Sequence, residues 1–161
     1  PELVLLAGDN PISNIQSEWV QQSLKAKLGI DVKIDKQIFK QRLAKMTSGD
    51  FDLVLAGWGP DYNDPLTFGD LFASWNKNNR GRYNNAALDA LIEIAQTRLE
   101  PAVRMRAFGD IQQHLIENAV LLPMYERGVT YVVDPRIRQF KRRVIGPDPD
   151  VSRAYIESSG E

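Results

Sequence analysis

The sequence predicts an α/β domain. Three short apolar runs of strand character alternate with two amphipathic helical stretches inside the first 56 residues, and two longer helical stripes follow. Parallel strands need crossover helices between them, so this alternation is expected to give a central mixed sheet flanked by helices.

The first strand is Leu3 to Ala7, a continuous apolar run that stops at the turn signal Gly8-Asp9-Asn10-Pro11. A helix follows. Ser13 and Gln16 have the spacing of a capping box; Ile12, Ile15, Trp19, Val20, Leu24 and Leu28 recur at helical intervals, and Lys25, Lys27 and Gly29 close the end. Val32 and Ile34 alternate with polar neighbours, which predicts a second strand at about 30 to 36. Phe39, Leu43 and Met46 then line one face of a second helix ending at Gly49, and Phe51 to Ala56 reads as a third strand.

Beyond the stretch Gly57 to Pro65 come a short apolar segment through Phe72 and a polar loop at Asn76 to Arg82. Leu88, Leu91, Ile92 and Ala95 mark a helix, and Pro101 at a first helical position opens another, with Met105, Phe108, Ile111, Leu115, Ile116 and Ala119 on one stripe. Two such stripes are expected to pack together. Val120 to Tyr125 and Val129 to Val133 flank Glu126-Arg127-Gly128 and suggest two further strands. The expected organisation is a ligand-binding lobe over 1–135 and a tail over 136–161 that is rich in proline and charge and either leaves the lobe or crosses toward a second lobe. The opening Pro1-Glu2-Leu3, without a methionine, leader or cleavage site, reads as an excised piece of something longer.

Composition excludes several function classes. Twenty Lys and Arg against twenty-one Asp and Glu leave a formal charge of -1, so no global field draws in nucleic acid. The cluster Lys141-Arg142-Arg143 is a local exception and reads as a solvated stretch. There is no cysteine, hence no disulfide, thiol nucleophile or thiolate zinc site. No apolar run approaches the ~20 residues of a membrane-spanning helix. The single histidine, His114, falls on the polar side of its helix beside Gln112 and Gln113, with no nucleophile or orienting carboxylate indicated by spacing. Phosphate-binding, dinucleotide, hydrolase-elbow and zinc-protease motifs are all missing, so no cofactor and no catalytic residue is expected.

What remains is Gly57-Trp58-Gly59-Pro60-Asp61-Tyr62-Asn63-Asp64-Pro65, at the C-terminal end of a strand, where α/β sheets hold their ligands. Trp58 and Tyr62 supply aromatic faces, Asp61 a carboxylate, Asn63 an amide, and Gly57 and Gly59 room for another backbone. Two aromatics around one carboxylate suit a primary ammonium, through an ion pair and a cation–π contact. The competing reading makes Trp58 and Tyr62 packing residues and Asp61 and Asn63 turn formers. A third takes Asp61, Asp64 and Asp70 as ligands of a hard metal in a hydrolase-type enzyme domain.

Three stretches together resemble the oligopeptide- and dipeptide-binding proteins of bacterial ATP-driven importers, the extracellular solute-binding proteins of peptide and nickel transport. They are Ser48 to Pro65 with its Trp-x-x-Asp-Tyr-x-x-Pro loop, Arg82 to Ile92, and Leu121-Leu122-Pro123-Met124-Tyr125. The resemblance covers about residues 1–135 and implies the C-terminal-side lobe of a receptor with a periplasmic-binding-protein-like type II fold. It further implies an extracytoplasmic location, anchoring to the membrane in the full-length protein, and three partners: a peptide, an N-terminal lobe of the same receptor, and permease subunits. Asp61 then matches the aspartate that pairs with a peptide α-ammonium, Trp58 a tryptophan lining the cleft, and Tyr62 and Asn63 supporting residues. Relatives that carry nickel chelates or sugars leave other ligands open.

Overall fold

In a computed structural model, which describes residues 2–143, 145, 146 and 148–158, β1 (Glu2–Gly8) is the middle strand of a three-stranded sheet. Leu5, Leu6 and Ala7 are all buried on it, as a continuous apolar run requires when both faces of a strand are covered. β2 (Asp31–Gln37) and β3 (Leu53–Val54) flank it in parallel, in the order β2-β1-β3. The register sets Leu5 against Ile34 and Leu53, and Leu6 against Asp35 and Val54. Backbone bonds from Asp52 to Val4 and from Leu55 to Leu6 lengthen the short β1–β3 ladder at each end.

The chain divides into two compact units, one of Pro1–Trp58 with Ser74–Asn84 and one of Gly59–Ala73 with Asn85–Glu161. In the first unit, α1 (Pro11–Leu28) and α2 (Phe39–Ser48) connect the strands. The cap of α1 is Asn10, one turn earlier than the expected Ser13, because Pro11 takes the first helical position; the Asn10 side chain accepts from the Ser13 N–H at 3.0 Å. The helix also faces differently from the expected apolar stripe. Ser17 is its buried residue, its hydroxyl donating back to the Asn14 carbonyl, and Gln21 donates to the Val32 carbonyl of β2 at 2.7 Å, so this face meets the sheet while Ile12, Ile15 and Trp19 turn outward. α2 likewise leaves Phe39 and Leu43 exposed. It is held by Lys45, which bridges Asp35 and Asp50 at 2.7 and 2.9 Å, and by Arg42, which donates to the Leu55 carbonyl.

The second unit contains α3 (Leu66–Gly69), a 3-10 turn (Asp70–Phe72), α4 (Ala86–Thr97) and α5 (Pro101–Glu117). Asn85 caps α4, accepting from the Ala87 and Leu88 N–H groups. α4 and α5 pack as a pair through Leu88, Ile92 and Ala95 and through Ala107, Ile111 and Leu115. The buried line of α5 is therefore narrower than expected: Ile111 and Leu115 belong to it, whereas Met105 (61% exposed) and Ile116 lie outside.

Residues 120–133 form no strand, against expectation. A strand exists only with a neighbour to share its hydrogen bonds, and in this stretch most side chains stand in solvent, Leu122 being 81% exposed. The tail instead makes a small antiparallel sheet of β4 (Ile137–Arg138) and β5 (Tyr155–Ile156). Two of its arginines pair locally, Arg142 with Asp148 and Arg143 with Asp150, which agrees with a solvated basic stretch.

Candidate functional site: the loop after the third strand

The loop leaves β3 exposed from Ala56 through Gly59. Gly57 and Trp58 belong to the first unit, Gly59 onward to the second. Trp58 is 41% exposed, and a methyl group built on Gly57 or Gly59 would meet nothing within 4 Å, so both glycines border open space.

Within the second unit the loop is shaped from beneath by one buried hydroxyl. Thr67 accepts at Oγ1 from the Asp61 N–H at 3.0 Å, fixing the backbone while leaving the Asp61 carboxylate outward. Asp61, Tyr62 and Asn63 are all exposed, Tyr62 at 42%. Among the described residues the Asp61 side chain has no ion pair. Asp64, three positions on, has a different fate: its Oδ1 accepts from the Leu66 N–H, and Arg104 Nη2 reaches both carboxylate oxygens at 2.9 Å. The Leu66 N–H first, and the Arg104 guanidinium beside it, hold this carboxyl below its ordinary range.

The loop is an electronegative place. Burial chiefly, and the charge of Asp61 next, push the Asp70 carboxyl above its ordinary value. The Tyr62 hydroxyl is raised by burial and then by Asp70, Asp64 and Asp61. Such a surface favours a cation. It is not arranged for a metal: no three acidic or histidine side chains converge among the described residues, and Asp64 is occupied by Arg104. His114 lies half-buried on α5. Two residues that shape the loop had no signal in the sequence reading. Thr67 lies six positions past the aspartate whose N–H it accepts, in a segment marked only by its apolar residues, and Arg104 lies 40 positions from the aspartate it holds.

The fold defines a class: an α/β fragment of the periplasmic-binding-protein-like type II kind used by solute receptors. Residues 1–80 match the family model described as bacterial extracellular solute-binding proteins, family 5, middle region. The dipeptide-binding protein of Lactococcus lactis is 30% identical over 155 residues, 94% of this chain and 28% of that protein. A crystal structure of an oligopeptide ABC transporter substrate-binding domain from Bacillus anthracis superposes with a TM-score of 0.87 at 27% identity, over 98% of this chain and 31% of that one. OppA of Listeria monocytogenes bound to peptide gives 0.85 at 27% identity, over 99% and 30%. The chain belongs to this family of bacterial extracellular solute-binding proteins, as the loop and its neighbouring stretches imply, and spans under a third of these three relatives. Their names are those of peptide-transport proteins.

Proposed function

We propose that this chain is part of a receptor that captures extended peptides between two lobes for an ATP-driven importer, with Asp61 pairing to the peptide α-ammonium. One observation carries the reading: Asp61 is exposed with no ion pair among the described residues, while its neighbour Asp64 is bound to Arg104. Every unmodified peptide carries that ammonium, so a single carboxylate anchors many sequences without reading their side chains. Trp58 lines the cleft, Tyr62 and Asn63 support the carboxylate, and Gly57 and Gly59 admit the ligand backbone, whose main chain pairs as a strand would. The receptor works outside the cytoplasm, anchored at the membrane beside its permease, and acts by binding rather than catalysis. Residues 1–135 serve as the lobe, and 136–161 cross toward the receptor's other lobe.

Calorimetry on the full-length receptor tests this with matched free-amine and N-acetylated peptides. Removing one partner of a desolvated charge pair costs about 2–5 kcal/mol. Acetylation and Asp61→Asn are each expected to weaken binding by a factor of at least thirty, and together no further. Equal affinity for the two peptides overturns the ammonium role.

A further inference from the structure

A second polar site lies within the first unit, where the loop Ser74–Asn84 meets the end of α2. Its pocket of about 380 Å³ is lined by Thr47, Lys77, Asn79, Arg80 and Arg82 among others, and no acidic side chain among the described residues lines it. We propose that this pocket binds a small oxyanion, a carboxylate or a phosphate, between Lys77, Arg80 and Arg82.

The loop is built before any ligand arrives. Asn79 braces it at both ends of a turn, donating from Nδ2 to the Tyr83 carbonyl at 2.7 Å and accepting the Tyr83 N–H at Oδ1. Arg82 has φ 52, a left-handed backbone that an arginine adopts only when its surroundings hold it there. Its guanidinium lies over Gly49, whose missing side chain makes the room: a methyl group there would come within 3.1 Å of Arg82 Cζ.

The plainer account is that these arginines only satisfy the C-terminal carbonyls of α2. Arg82 does donate from Nη2 to the Ser48 carbonyl, and Arg80 donates to Thr47 Oγ1 and Asn78 Oδ1. A guanidinium has five N–H donors, however, and these bonds involve a minority of them. None of the three cations pairs with a carboxylate among the described residues. Like charges lining one pocket repel, and an oxyanion accepting from all three relieves that repulsion. The site is independent of the peptide reading and stands if that reading fails.

Met46 lines the same pocket and supplies a reporter. In the full-length receptor carrying ¹³C-methyl methionine, sodium phosphate or sodium acetate replaces chloride at constant ionic strength. The Met46 methyl resonance is expected to shift saturably with at least one anion, while those of Met105 and Met124 stay put. Saturation by phosphate alone, by acetate alone or by both tells which oxyanion class the pocket accepts. Lys77→Gln, which removes no hydrogen bond of the loop, is expected to weaken the response at least threefold, and Arg80→Gln likewise. A shift that fails to saturate with either anion, or one unchanged in both variants, overturns the proposal.

Discussion

Two aspartates three positions apart show how much a carboxylate's neighbours decide. Asp64 is 27% exposed beside an equally exposed Arg104, and their bond ties the loop to α5. Hydrogen bonds to charged groups contribute about 1.5–3 kcal/mol, and partial exposure reduces that, so Arg104→Gln is expected to cost about 1–2 kcal/mol in urea unfolding. Because the folded protein holds the Asp64 carboxyl below the ordinary value of 3.8, the contribution is fully present above that value and fades as pH falls through the lower folded one. The stability gap between the wild type and Asp64→Asn should therefore close below about pH 4 and be flat from pH 6 to 8. Glycines show the same dependence on place. Gly49, at φ 79 and pressed by Arg82, should lose stability on becoming alanine. Gly69, with a helical backbone and Ile111 at an ordinary 3.8 Å, should gain about 0.4–1 kcal/mol, which thermal unfolding of the two variants would distinguish.

Elements were legible wherever a local signal sufficed. Pro101 at a helix start and Gly29 and Gly49 after two others act within a turn, so those helices came out close to their observed bounds. What spacing could not supply was rotation. Ser17 and Gln21 of α1 face the sheet although neither is apolar, and the expected stripe of Ile12, Ile15 and Trp19 is turned away. Truncating the buried Ile111 of α5 to alanine should cost about 2–5 kcal/mol, because it leaves a cavity against α4. Met105→Ala, from the same expected stripe but on the open side, should change unfolding by under about 0.5 kcal/mol. Asn10→Ala should cost about 1 kcal/mol through loss of the Ser13 bond.

For the molecule as a whole, the family was readable because three motifs keep their order along the chain, which no single motif could establish. The strands expected at 120–133 were not realised, since pairing depends on a partner backbone that local sequence cannot specify. Apolar side chains left in solvent there should bind a hydrophobic dye. Replacing Leu122 and Val132 with serine is expected to lower dye fluorescence of the chain while shifting the unfolding midpoint little, both positions being open to solvent. Of the candidate loop, the residue types were visible in advance. Its support was not, because Thr67 and Arg104 act through the fold rather than through spacing.

The parallel match of Leu53 with Leu5 and Val54 with Leu6 also makes the third strand a ruler. Each residue along it advances the chain about 3.3 Å and reverses the side from which the next one projects. Inserting a single alanine between Val54 and Trp58 would thus displace the tryptophan by a residue's length and turn the phase of everything up to the next anchor, with no atom of the loop itself altered.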